Sequence, residues 1–201
     1  MGTTTNNGWT YPESTDLVKD GATAIQTLAD DIDTTLGVYA PSSSGLTLIN
    51  TTSFSAVASQ SINDCFSTTY DNYKIFFNAI GSTDLDLDIR FRVSGADNST
   101  ANYNRQLLSA GGTTLIGGRA VSQTSGLVHA LRTEDVELEL TVVNPFKTAR
   151  TMYHTQGYDS DTGALLKYIV GRFNLTTSFT GFTLICAGTM TGTLSVYGLA
   201  K

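Results

Sequence analysis

Residues 85–93 read LDLDIRFRV, and their strict alternation decides the fold class. Leu85, Leu87, Ile89, Phe91 and Val93 fall on one side, and Asp86, Asp88, Arg90 and Arg92 on the other. That is the period-2 pattern of a strand with one buried and one wet face. Residues 136–143, VELELTVV, repeat it with Val136, Leu138, Leu140 and Val142 inward. YKIFFNAI at 73–80 is apolar on both faces and reads as a central strand.

Working outward, strand-like runs follow at 46–50, 54–62, 105–110, 119–131, 150–157, 165–173, 182–187 and 193–198. Turn signals such as SGADNST, AGG, IGG, DSDTG and TMTG separate them. Strands of this number, each followed by such a turn, predict a mainly β fold: an antiparallel, jelly-roll-like β-sandwich over 46–201. Composition agrees, because 32 Thr and 18 Ser with only 15% charged residues suit pleated sheets better than helices.

The N-terminal part differs. DLVKDGATAIQTLADDIDTTLG, residues 16–37, predicts a single α-helix, with Asp16 or Asp20 as cap and Gly37 at its end. Val18, Ala22, Ile25, Ala29, Ile32 and Leu36 recur four, three, four, three and four residues apart, the spacing of a heptad seam. The seam spans only about two and a half heptads, so a helix packed on its own domain is the competing expectation. Leu28 lies beside the seam and widens the stripe towards a bundle or docking helix. A helix this short is marginal in water unless something covers its stripe. Residues 1–15 are expected as an extended attachment arm with Trp9, Tyr11 and Pro12 as anchors, and 38–45 as a Pro/Ser/Gly linker.

Several functions are excluded on chemical grounds. The net charge of −6 is dispersed, with no basic block, so no nucleic acid is expected as partner. No apolar run approaches the ~18 residues of a spanning helix, and neither a signal peptide nor membrane insertion is expected. Cys65 and Cys186 are read as buried free thiols. Asp84, Asp86 and Asp88 read as a solvated strand face rather than a calcium site, and DSDTG at 159–163 lacks the glutamate that closes a calcium loop. His129 and His154 lie in strand-like runs without a nucleophile at motif spacing, and GGTTLIGG at 111–118 lacks the lysine of a phosphate loop. Glu134, Glu137 and Glu139 are candidates for glycosidase acids, but Glu137 and Glu139 alternate with apolar residues and read as ordinary water-facing positions. No enzyme, cofactor or metal is therefore expected. Tyr70, Tyr73, Tyr103, Tyr153, Tyr158 and Tyr168 are read mainly as cover for the core, with a sugar-binding patch as the rival use.

GWTYPESTDLVKDGATAIQTLADDID, residues 8–33, resembles the N-terminal segment of many tailed-phage virion proteins, in which a Y-P-x-x-x-D-x-V-x-D-G-x-x-A-I-x-x-L-A-x-x-I-D-like run precedes a β-rich body. Tyr11, Pro12, Asp16, Val18, Asp20, Gly21, Ala24, Ile25, Leu28, Ala29, Ile32 and Asp33 carry the match. TTYDNYKIFFNAI and the final GTLSVYGLAK are similar to strands of phage fibre proteins. The resemblance implies a virion protein made in the host cytoplasm, a short homotrimeric tail fibre joined to other virion proteins through residues 1–37 and touching a host glycan or receptor. A head decoration or cement protein is the alternative within the virion. A carbohydrate-binding module is the rival from another class.

Overall fold

The computed structural model describes residues 1–39, 45–159 and 165–200. The chain forms two compact units, Met1–Ser44 and Gly45–Lys201. The first holds β1 (Gly2–Thr3), β2 (Thr10–Tyr11), a 3-10 turn (Val18–Asp20) and α1 (Gly21–Tyr39). The second is all β: β3 (Leu46–Ile62), β4 (Asn72–Gly81), β5 (Leu85–Val93), β6 (Ala96–Asp97), β7 (Tyr103–Gly111), β8 (Thr114–Gln123), β9 (Gly126–Leu131), β10 (Val136–Val143), β11 (Met152–Asp159), β12 (Leu165–Phe173) and β13 (Gly181–Leu199).

The β unit is one antiparallel sheet of eleven strands in the order β6-β5-β13-β4-β10-β11-β12-β7-β8, with β3 also on β13 and β9 also on β5. It curls into a sandwich because β13 serves two neighbours in turn. Residues 181–186 of β13 pair with β5, and residues 190–199 pair with β4. β3 follows β13 along both halves, with its register broken between Ile185 and Met190. A bulged segment of this kind bends and twists a strand, which lets one strand contribute to both layers. β9 packs back towards β11 and β12, closing the core between the layers.

The alternating sequences supply that core. Leu87, Ile89 and Phe91 of β5, Ile75 and Phe77 of β4, and Leu138, Leu140 and Val142 of β10 are buried in one cluster. The Phe91 ring stacks on Tyr103 and Phe179 at 6.1 and 5.0 Å. Tyr103 stays hydrogen-bonded there: its hydroxyl accepts from the Phe91 amide at 2.9 Å and donates to the Asn98 carbonyl at 2.8 Å. Tyr153 lies over two glycines, and a Cβ on Gly171 or Gly126 would sit 2.0 or 2.2 Å from its ring or hydroxyl. Only glycine fits at either position.

Several sequence boundaries need correction. The runs at 46–50 and 54–62 are one strand, as are those at 182–187 and 193–198, because TMTG lies inside β13 rather than in a turn. The run at 119–131 is two strands, and IGG lies within β8. AGG does make the β7–β8 turn, where Gly112 takes φ +57°. DSDTG and the Pro/Ser part of the linker extend into 160–164 and 40–44, outside the described residues. α1 starts at Gly21 rather than at 16, takes in Val38 and Tyr39 of the expected linker, and passes through Gly37 without ending.

The polar side of β5 is also less wet than alternation suggests. Arg92 pairs with Asp97, and its Nη1 donates to Thr183 Oγ1 at 2.6 Å and Ser61 Oγ at 3.0 Å, tying β5 to β6, β13 and β3. Asp88 is half-buried and accepts from Ser125 Oγ at 2.8 Å.

Candidate assembly site

In the N-terminal unit the arm is not extended. Gly2 and Thr3 pair with Tyr11 and Thr10 as a short antiparallel hairpin that packs on α1. Its turn is closed by Thr4: the Gly8 amide donates to the Thr4 carbonyl at 3.0 Å and the Trp9 amide to Thr4 Oγ1 at 2.9 Å. Two longer-range bonds hold the hairpin to the helix. Trp9 Nε1 donates to Thr35 Oγ1 at 2.8 Å, and the Thr10 amide donates to Asp31 Oδ2 at 3.0 Å. The Thr35 hydroxyl in turn donates to the Asp31 carbonyl at 2.8 Å, so the receiving group is itself fixed. Tyr11 lies over Gly2, where a Cβ would come within 2.6 Å of the ring, and Pro12 is exposed.

Asp16 does not cap the helix. Its carboxylate accepts from the Glu13 amide at 2.8 Å and from the Met1 ammonium at 3.1 Å, and these bonds hold it below the usual carboxylate range. The same contact raises the Met1 ammonium. Met1, Pro12, Glu13, Leu17, Val18 and Ala24 surround a cleft of ≈ 400 Å³ at the helix start.

The hairpin covers one face of α1 and leaves another open. Ala24 is buried, and Asp31 and Thr35, which receive the two bonds, share its side. At about 100° per residue, the heptad seam is centred roughly a quarter to a third of a turn away. Along it Ile25 and Leu36 are 63% and 59% exposed, and Ala22 and Ala29 are exposed as well, whereas Val18, 97% exposed and expected on the helix, lies before α1 in the 3-10 turn. Leu28 and Ile32 border both faces and are half-buried. The extra width that Leu28 gives the stripe is thus the part nearest the arm.

In the β unit, Tyr73, Tyr103 and Tyr153 are core residues, Tyr70 is half-buried, and Tyr158 and Tyr168 are exposed. Burial pushes the Tyr73, Tyr103 and Tyr153 hydroxyls up. Cys65 is buried and its thiol is pushed up to about 12, whereas Cys186 is half-buried rather than enclosed and is raised less. His129 is buried in β9 with Nδ1 at 2.9 Å from the Ala130 carbonyl, and His154 sits on β11 beside the Tyr168 ring at 6.3 Å. Asp84 pairs with Arg132 at 3.8 Å. Among the described residues no three His, Cys, Asp or Glu side chains converge as a metal site, and no helix is long and apolar enough to cross a membrane.

No family model, curated protein or solved structure matches the chain. The exposed seam of α1 is the feature of the N-terminal unit whose chemistry calls for a partner, since apolar side chains spaced as a seam gain free energy only when covered.

Sequence spacing located the seam, but it missed the hairpin. The pairing of Trp9 with Thr35 and of Thr10 with Asp31 joins residues 26 and 21 apart through polar groups, and hydrophobic periodicity carries no trace of such bonds. The polar strip on β4, β10 and β13 was missed for a similar reason. Glu137, Glu139, Phe76, Asn78 and Ser195 become neighbours only through strand register.

Proposed function

We propose that this chain is a structural component of a tailed-phage virion, a short trimeric fibre that assembles through the seam of α1 and presents its β-sandwich at the particle surface. The observation that carries the reading is the exposed seam beside a covered face: the arm is spent on the Ala24, Asp31 and Thr35 side, and Ile25 and Leu36 stay open. The occupant that fits is the same face of further copies. Self-association in register sets each apolar seam residue against its equivalents, and alanines at 22 and 29 permit close helix approach. Leu28 and Ile32 are half-buried on the side nearest the arm, so the strip open to further copies is the narrow one of Ala22, Ile25, Ala29 and Leu36, and the three-fold number follows the resemblance of residues 8–33 to phage N-terminal segments. The virion assignment rests on the resemblance of residues 8–33 to phage N-terminal segments.

Immunogold electron microscopy of purified particles, with antibody against the β-sandwich, tests the assignment. Label on the tail is expected. Label on the head would favour the decoration reading, and unlabelled particles that contain no copy of the chain by mass spectrometry would refute both.

A further inference from the structure

The outer face of the sandwich carries a groove that assembly through α1 does not use, and we propose that it binds a neutral oligosaccharide, with the Phe76 ring as the platform for one sugar. Register brings the groove together. Ser195, Phe76 and Glu139 are side-by-side partners on β13, β4 and β10, and Thr193, Asn78 and Glu137 form the adjacent row. These residues line a groove of ≈ 350 Å³.

Phe76 stands out chemically. Its chain neighbours Ile75 and Phe77 are buried, yet Phe76 points to the outer face and is 40% exposed. It packs against Tyr197 at 5.5 Å with the rings 85° apart, a contact that fixes the ring while leaving part of it open. The polar groups beside it are oriented as well. Asn78 Nδ2 donates to Glu137 Oε1 at 3.1 Å, and Lys74 pairs with Glu139. An aromatic platform flanked by fixed carboxylates and an amide suits a pyranose, whose C–H face stacks on the ring while its hydroxyls donate to the carboxylates. Two carboxylates against one lysine, on a chain of net charge −6, disfavour anionic sugars and point to a neutral chain.

The row continues across the sheet. Glu139 faces Gln156 on β11, and Gln156 faces Tyr168 on β12, which is 42% exposed. Phe76 and Tyr168 are three inter-strand steps apart, about 14 Å. That distance exceeds one sugar ring, so a saccharide chain running across the strands meets both aromatics. All of these residues belong to the β unit, so the inference does not depend on oligomeric state.

The test is to pass the full chain over an array of immobilised neutral oligosaccharides (glucan, galactan, mannan and N-acetylhexosamine series, from disaccharides upward) and anionic ones (uronic-acid and sialylated series), then titrate the best neutral member calorimetrically. Saturable binding of a neutral chain is expected, weakened about tenfold by Phe76→Ala and retained by Phe76→Trp, with melting midpoints compared to confirm folding. Tyr168→Ala is expected to weaken longer chains and spare the disaccharide. Retention of anionic glycans alone, no neutral glycan held above the Phe76→Ala background, or binding indifferent to Phe76→Ala would overturn the site. Sedimentation of the same preparations reports assembly separately.

Discussion

Ile25 is the residue whose replacement reads out the seam most sharply. It lies near the middle of the seam and is 63% exposed on the single chain. Fully burying an isoleucine is worth about 1.5–3 kcal/mol, so covering the exposed part contributes about 1–2 kcal/mol per chain. Three equivalent positions in a trimer then contribute about 3–6 kcal/mol, a factor of roughly 10²–10⁴ in the association constant. Ile25→Asp removes that term and sets three carboxylates close to the three-fold axis, where desolvation and repulsion add to the loss. Sedimentation velocity of Ile25→Asp at micromolar concentration is expected to show single chains. Thr34→Asp, on the far side of the helix and also exposed, is expected to sediment like the unmodified protein. The β-sandwich is a separate compact unit, so its thermal transition should be unchanged in both variants. Identical sedimentation of Ile25→Asp and unmodified protein would refute the reasoning, since the seam would then be an ordinary solvated surface.

Trp9 is the only tryptophan, so its emission reports the hairpin directly: Asp31→Ala, which removes the acceptor of the Thr10 amide, is expected to cost about 1 kcal/mol of docking and shift the emission to the red. Gly171→Ala should lower the melting temperature severely, by overpacking of at least ~3 kcal/mol, because its Cβ would lie 2.0 Å from Tyr153 Cζ. Asp88 supplies a pH dependence of definite sign. Burial raises its carboxyl above the ordinary 3.8, so in the window from there up to its folded value the native state binds more protons than the unfolded state, and stability falls as pH rises through that window. Asp88→Asn is expected to flatten this dependence and raise the chemical-denaturation midpoint at neutral pH. Thiol titration of the native protein at pH 8 should label Cys186 slowly and leave Cys65 silent, with both reacting in guanidinium, because a thiol pushed up to about 12 holds almost no thiolate.

The strands were legible where one face is uniformly apolar: 85–93 and 136–143 have the boundaries that alternation gives, and 165–173, an apolar run without strict alternation, has the boundaries expected for it as well. They were misread where a bulge interrupts the period. β13 contains Gly188 and Gly192 beside threonines, which imitate a turn in sequence but in the fold carry the strand from β5 to β4. β8 contains Gly117 and Gly118 in mid-strand, where the strand is exposed at most positions; a Cβ would meet nothing within 4 Å at Gly117 and only Leu107, at ordinary contact distance, at Gly118. The seam of α1 was legible because it depends on helical period alone. The hairpin on the neighbouring face depends on an indole N–H, a hydroxyl and a carboxylate meeting in space. The groove at Phe76 depends on three strands far apart in sequence, and YKIFFNAI, read as apolar on both faces, gave no sign that the Phe76 side is open.

Sedimentation equilibrium of the full, unmodified chain, run across a wide concentration range, bears most directly on the central claim that copies of the chain cover the α1 seam. The account predicts a species of three times the 21.4 kDa chain mass, persisting to low micromolar concentration. A single 21.4 kDa species at every concentration would contradict it.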